Sequence, residues 1–191
     1  MSDAQDRFTP LQRGLHWLLA AMVVAMLFIG VGMVSTLHRR FLILIAIHKP
    51  LGIAILILAL IRLAVRLRRG APPLPADLPW WQSAAARASH VALYVLLIVM
   101  PLVGWSMLSA GGYPIVLYGP IRLPQIVPHD DTLYTFLRNA HAWLAYLFFA
   151  TILAHAAAAL FHALIRHDGV FESMAPWPAG PSLKTRSSSK H

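Results

Sequence analysis

Residues 137–162 read LRNAHAWLAYLFFATILAHAAAALFH. After Arg138 this stretch contains no Asp, Glu, Lys or Arg, and the next charged residue is Arg166. About 20 apolar residues are enough for a helix to cross the hydrocarbon core of a bilayer. The stretch therefore predicts a membrane-spanning helix, and its three histidines, at 141, 155 and 162, are polar groups that need an explanation.

The rest of the chain has the same apolar character. Of its 191 residues, 58% are hydrophobic and 12% are charged, and the mean hydropathy is +0.64, which is outside the range of ordinary soluble domains. The first apolar span continues into the second without a small-residue cleavage site, so we expect a retained helix and no secretory signal. Backbone groups in lipid must be satisfied within a helix. The sequence predicts an all-α integral membrane four-helix bundle over residues 1–175, with spans at about 15–37, 41–65, 88–108 and 133–165, and a disordered basic tail at 176–191.

The distribution of basic residues predicts the topology. The net charge is +9, and eleven of the sixteen Lys and Arg residues lie on the side of the two termini. By the positive-inside rule, both termini are expected in the cytoplasm of a bacterium, with the protein in its inner membrane and in contact with lipid. We therefore ascribe the net positive charge to the orientation of the helices in the membrane, and we expect no nucleic acid partner. Five cations remain on the periplasmic side: Arg39, Arg40, Lys49, Arg122 and Arg138.

Helix geometry predicts how the histidines pair. His141 and His155 are fourteen residues apart, which is about four turns and about 21 Å of helix, so both share a face near opposite membrane surfaces. Because successive spans alternate in direction, His48 lies at the depth of His141, and His16 lies at the depth of His155. We therefore expect two histidine pairs, one on each side of the membrane.

Facing imidazoles on neighbouring helices are typical axial ligands of a haem iron. The chain has no cysteine, which excludes disulfides, thiolate metal sites and covalent haem attachment through C-x-x-C-H. Any haem must therefore be held non-covalently. Small residues near the pairs, among them Gly30, Gly52, Ala142 and Ala154, leave room for a porphyrin and are equally typical of close helix packing.

Two further histidines lie near the cytoplasmic side. His90 begins the third apolar span, and His162 is one heptad beyond His155. Either could replace His16 as a haem ligand. Either could instead serve a quinone, whose reduction takes up protons and benefits from groups that titrate near neutrality, or could simply bind lipid head groups or water.

Four segments resemble the prokaryotic di-haem cytochrome b561 family across nearly the whole chain to about residue 176. They are GLHWLLA (14–20), IHKPLG (47–52), RASHVALYVLLIVMPLVGW (87–105) and NAHAWLAYLFFATILAHAAAALFH (139–162). The resemblance implies two non-covalent b haems, one held by His48 and His141 and the other by His16 and His155. It also implies oxidation of superoxide at the periplasmic face, with electrons passed to ubiquinone. Pro50 departs from the small residue usual in the family.

This activity explains the five outer cations. Superoxide is a small anion, and positive charge around the periplasmic haem raises its encounter rate. Lys49, Arg39, Arg40, Arg122 and Arg138 are the steering candidates, and no residue is expected to act by covalent catalysis. Lys49 and Arg138 could equally contact haem propionates, and Arg13 and Arg87 are candidates for the propionates of the other haem.

Two rival hypotheses remain from the sequence. The chain could be the haem b membrane anchor and electron conduit of a larger complex of the hydrogenase or formate dehydrogenase kind. It could also be a structural four-helix protein without haem. The outer loops are basic, which favours a stand-alone enzyme with no obligatory protein partner.

Overall fold

The computed structural model describes residues 7–36 and 39–176, and the predicted disordered tail lies outside them from residue 177 on. The four long helices are α1 (Pro10–Val34), α2 (Arg39–Arg69), α3 (Trp80–Ala110) and α4 (Asp131–Phe161). A β hairpin of β1 (Ile115–Tyr118) and β2 (Ile121–Leu123) joins α3 to α4, and a π-helical turn (His162–Arg166) and the short helix α5 (Val170–Met174) follow α4.

Local signals set the helix starts. The Thr9 hydroxyl caps α1 by accepting from the Gln12 N–H, the Gln12 side-chain oxygen accepts from the Thr9 N–H, and Pro10 occupies the first helical position. Gln12 is buried, and its amide also donates to the Gly70 carbonyl at 2.9 Å, which ties the start of α1 to the end of α2. The Asp130 carboxylate caps α4 by accepting from the Leu133 N–H at 2.9 Å.

All four long helices are long and apolar enough to cross a membrane, which confirms the predicted bundle. They extend beyond the apolar spans, most clearly in α3, which starts at Trp80. Pro50 and Pro101 both lie inside helices that continue through them. We call the end with the start of α1 and with α5 the terminal end, and the opposite end, with the β hairpin, the hairpin end.

The helices pack as two pairs. α1 contacts α2 extensively and α3 contacts α4 extensively, whereas the contact between α2 and α3 is smaller and α1 and α4 have no extensive backbone contact. The space between the two pairs is therefore filled mainly by side chains.

An apolar layer closes the middle of the bundle. Its buried core includes Val23, Ile55, Leu97 and Phe148, one from each long helix. Each of these is seven residues from a position that carries a histidine: His16, His48, His90 and His141, respectively. Because seven residues are about two turns, the core residues share faces with the histidines and lie about 10 Å from them along the bundle.

The β hairpin packs against the helices at the hairpin end of the bundle. Ile115 in β1 is 4% exposed and β1 packs against α2, while Lys49 donates to the Pro114 carbonyl at 3.3 Å. The Trp105 indole donates to the Pro124 carbonyl at 2.9 Å, which anchors the returning segment to α3. The segment thus covers part of the hairpin end, as expected from its length.

Candidate functional site

At the hairpin end, the structure brings together the imidazoles of His48 on α2 and His141 on α4. Their ring centres are 6.3 Å apart and the rings are inclined by 63°. Both side chains are partly buried between the helix pairs.

At the terminal end, three imidazoles meet. The ring centres of His16 and His155 are 6.4 Å apart, and those of His90 and His155 are 5.6 Å apart. Within the described part of the chain, no group of three or more His, Cys, Asp or Glu side chains is arranged to hold a metal ion. The imidazoles are therefore considered as pairs.

The fourteen-residue step holds on every long helix and defines two layers. The terminal layer consists of His16, Arg62, His90 and His155. Fourteen residues forward on α1 and α3, and fourteen residues back on α2 and α4, lead to the hairpin layer, which consists of Gly30, His48, Gly104 and His141. The layers are about 21 Å apart along the bundle, with the apolar core between them.

The hairpin layer is shaped around His141. A Cβ on Gly104 would lie 3.3 Å from His141 Cε1 and 3.6 Å from its Nδ1, so the absence of a side chain at residue 104 lets this edge of the ring lie close to α3 without crowding. A Cβ on Gly30 would meet nothing within 4 Å, which leaves space on the α1 side of the layer.

Polar atoms at this pair lack partners. Nδ1 of His48 and Nδ1 of His141 are buried, and neither has a hydrogen bond of good geometry with the described residues. The Met100 backbone carbonyl is a polar neighbour of His141, but the contact does not reach hydrogen-bond geometry for Nδ1. Buried polar atoms are normally satisfied, so this site is consistent with a bound group that orients the rings.

The spacing of both pairs fits two imidazoles on one metal. With bonds of about 2.0 Å from metal to nitrogen and about 1.1 Å from nitrogen to ring centre, opposed rings have centres about 6.2 Å apart. The separations in the structure, 6.3 and 6.4 Å, are close to this value at both ends.

The predicted outer cations lie at the hairpin end. Arg39, Arg40, Arg122 and Arg138 are exposed, whereas Lys49 is partly buried through its bond to the Pro114 carbonyl. The two propionate candidates of the terminal end differ from one another. Arg13 donates to the Ala175 carbonyl at 3.0 Å, and Arg87 is exposed on α3.

His162 lies apart from the three terminal imidazoles, in an ion-pair cluster after α4. Its Nδ1 is 2.7 Å from an Asp168 carboxylate oxygen that also accepts from Arg166 Nε at 2.9 Å. Arg166 reaches on to Asp77 at 2.7 Å. The hydrogen bonds from His162 and Arg166 outweigh partial burial, which acts in the opposite direction, and hold the pKa of Asp168 below its usual value.

Sequence reasoning missed three residues of the terminal layer and its surroundings. Arg62 stacks on the Tyr94 ring, with its guanidinium carbon 5.4 Å from the ring centre. The Tyr94 hydroxyl and the Ser89 hydroxyl are buried without a hydrogen-bond partner among the described residues. The signal for Arg62 was present, because it follows His48 by the same fourteen residues that separate His141 from His155.

Comparison with known proteins identifies the family. The family model of prokaryotic cytochrome b561 matches residues 7–177. The chain belongs to the prokaryotic cytochrome b561 family.

Curated relatives align over nearly their whole length. The chain is 28% identical to cytochrome b561 homolog 1 of Escherichia coli (strain K12), over 90% of this chain and 98% of the relative. It is 30% identical to cytochrome b561 homolog 2 of the same organism, over 91% and 93%. It is 29% identical to a probable superoxide oxidase CybB of Yersinia pestis, over 91% and 98%.

Membership of the cytochrome b561 family makes this chain a multi-pass membrane electron-transfer protein, with oxidoreductase activity and haem b as its cofactor. The residues present fit that cofactor. Neutral imidazoles are the donor type that haem iron takes, their spacing suits ligation from both faces, and glycines open space beside one pair.

Proposed function

We propose that this chain oxidises superoxide at the hairpin end and passes the electrons through two b haems to ubiquinone at the terminal end. The observation that carries the proposal is the presence of two imidazole pairs at ligand spacing, 6.3 and 6.4 Å, in layers near opposite ends of one bundle. The similarity to a probable superoxide oxidase supports the choice of substrate. Two superoxide ions each lose one electron and leave as oxygen, while one quinone gains two electrons and two protons.

His48 and His141 would hold one haem, and His16 and His155 the other. His90 is nearer to His155 than His16 is, but α3 packs closely on α4, and a macrocycle needs open space between its two ligands. The backbones of α1 and α4 stay apart, so His16 is the ligand we favour. When bound, haem supplies reversible one-electron transfer.

At the hairpin end the residues have only to attract an anion. Superoxide oxidation breaks no bond and needs no proton from the protein. Exposed arginines at residues 39, 40, 122 and 138 raise the local concentration of a small anion. Lys49, bonded to the Pro114 carbonyl, would position the covering segment and add to the positive charge.

Between the layers, the buried side chains of Val23, Ile55, Leu97 and Phe148 exclude water. This apolar core allows electrons to cross while it blocks proton leakage, and it keeps the superoxide step apart from the quinone step. The two half-reactions therefore occur on opposite sides of the bilayer.

At the terminal end, His90 and His162 would serve the quinone. The Asp168 carboxylate accepts from His162 at Nδ1, which leaves Nε2 of the same ring free to exchange a proton with a quinone oxygen. The buried hydroxyl of Ser89, which has no hydrogen-bond partner among residues 7–36 and 39–176 and precedes His90 in the chain, would be a further donor for a quinone carbonyl.

Turnover by the purified protein tests this function. Superoxide generated enzymatically should reduce the haems rapidly, and with ubiquinone present it should yield ubiquinol with no other protein added. His48→Ala or His141→Ala should remove one of the two haem signals from the reduced-minus-oxidised spectrum, and His155→Ala should remove the other. Absence of any haem band would refute the proposal.

The same assay separates the proposal from the membrane-anchor alternative. Turnover that requires an added iron–sulfur partner, with slow reduction by superoxide alone, would favour an electron conduit of a larger complex. If His16→Ala kept both haems, His90 would become the preferred ligand of the terminal-end haem.

The orientation of the bundle is part of the proposal. The terminal end would face the cytoplasm and the hairpin end the periplasm, because eight of the thirteen basic residues in the described part of the chain lie at the terminal end. Alkaline phosphatase fused at the C-terminus should be inactive, and the same enzyme inserted between β1 and β2 should be active. The opposite result would invert the topology.

A further inference from the structure

The two layers of the bundle differ in charge. The terminal layer contains Arg62 where the hairpin layer has His48, and Arg66 lies one turn further along the same helix. By the fourteen-residue step, Arg62 lies at the depth of His16, His90 and His155, and its side chain is partly buried. None of the four positions of the hairpin layer, which are Gly30, His48, Gly104 and His141, carries an arginine or a lysine.

Arg62 has no carboxylate partner within the described residues. Its guanidinium lies over the Tyr94 ring at 5.4 Å from the centre, and no Asp or Glu of the described chain forms an ion pair with it. The positive charge of Arg62 is therefore not cancelled by an acidic side chain, and it acts in a partly buried setting where screening by water and salt is weak.

A cation close to a haem favours its reduced form. Reduction removes one positive charge from an iron centre with two neutral imidazole ligands, so a neighbouring guanidinium is repelled less after reduction. A unit charge within about 10 Å, at an effective dielectric constant of about 20, shifts such an equilibrium by about tenfold.

We propose that Arg62, with a smaller contribution from Arg66, raises the midpoint potential of the terminal-end haem above that of the hairpin-end haem. In this role Arg62 binds no substrate, and its positive charge shifts the equilibrium between the oxidised and reduced forms of the terminal-end haem. The resulting difference in midpoint potential between the two haems favours electron transfer toward the quinone side. This inference rests on the proposed haem sites.

Equilibrium redox titration tests it without superoxide or quinone. His141→Ala isolates the terminal-end haem, and His155→Ala isolates the hairpin-end haem. In the His141→Ala background, Arg62→Gln should make reduction of the remaining haem about tenfold less favourable. This lowers its midpoint potential by about 59 mV for one electron. Arg62→Lys, which keeps the charge, should retain most of the wild-type potential. In the second background, Arg62→Gln should cause no shift.

Arg68→Gln is the matched control, because Arg68 is exposed on the same helix at the same end. It should leave both potentials unchanged. If Arg62→Gln leaves the terminal-end potential unchanged, or shifts both haems equally, the inference is wrong. If Arg62→Gln does not retain the haem, the potential is measured instead for Arg66→Gln in the His141→Ala background. An unchanged potential in that variant refutes the inference. A wild-type protein without haem would refute the proposed function itself.

Discussion

Gly104 shows how a single missing side chain shapes the hairpin layer. It lies on α3 fourteen residues after His90, at the depth of His141, and the Nδ1–Cε1 edge of the His141 ring packs against it. Any Cβ at this position would be in tight contact with the ring. The glycine thus fixes how deeply the imidazole can sit between α3 and α4.

Gly104→Val should displace His141. Its Cβ would lie 3.3 Å from Cε1, and the two methyl groups on that Cβ add further bulk next to the ring. Overpacking of this kind costs about 1–3 kcal/mol, which corresponds to a loss of about fivefold to more than a hundredfold in affinity for the hairpin-end haem. Haem content per protein and the visible spectrum measure it. Gly14→Val is the control, because a Cβ at Gly14 meets nothing within 4 Å. Equal haem loss in both variants would show that the effect is not local.

At the scale of the element, the π-helical turn after α4 depends on one carboxylate. Asp168 accepts from His162 and Arg166 through the same oxygen, and its other oxygen accepts from the Val170 N–H at 3.3 Å. His167, between these partners, adopts a left-handed conformation with φ of 52°, which is uncommon for a residue other than glycine. The side-chain contacts therefore hold a turn that the backbone alone does not favour.

Asp168→Asn should destabilise the protein in a pH-dependent way. The pKa of Asp168 is lower in the folded state, so its contribution is complete above the unfolded value, 3.8, and is lost as the pH falls through the folded value. The difference in thermal midpoint between wild type and variant should be present at pH 7 and should shrink below about pH 3.8. Asp77→Asn serves as the control, because this side chain also pairs with Arg166 but is 73% exposed. A gap that is independent of pH would contradict this role for the charge.

At the scale of the whole molecule, the positive charge is divided between two ends with different expected tasks. Of the thirteen basic residues in the described part of the chain, eight lie at the terminal end, and the hairpin end carries exposed arginines at the same end of the bundle as the His48–His141 pair. Exposed charges act over about 10 Å at 0.1 M salt, so their effect on an anionic substrate is a rate effect that salt removes.

The triple variant Arg39→Gln, Arg40→Gln, Arg122→Gln should slow haem reduction by superoxide by about tenfold at low ionic strength. The difference from wild type should fade at high salt, because the arginines are exposed. Stopped-flow measurement of the initial reduction rate at several salt concentrations provides the test. Arg68→Gln with Arg69→Gln, at the terminal end, should leave the rate unchanged. A triple variant as fast as wild type at every salt concentration would refute steering.

The sequence by itself determined the four long apolar helices and the relative depths of His16, His48, His141 and His155. Apolar spans of sufficient length predict helices because lipid cannot satisfy a backbone, and depth follows from a fixed rise per residue and alternating direction. The fourteen-residue step therefore predicts from the sequence alone that His141 and His155 share a helix face. The same step separates His48 from Arg62 and could have been recognised in the same way.

The tertiary structure alone decided the side-chain contacts that do not follow from depth along a helix. In the structure His90 as well as His16 lies beside His155, and Arg62 lies over the Tyr94 ring. His162 hydrogen-bonds to Asp168, and the segment with the β hairpin packs against α2 and α3. Rise and turn fix where a residue lies along its own helix, but the rotation of one helix against another is set by side-chain packing across their contact, which the one-dimensional pattern does not contain.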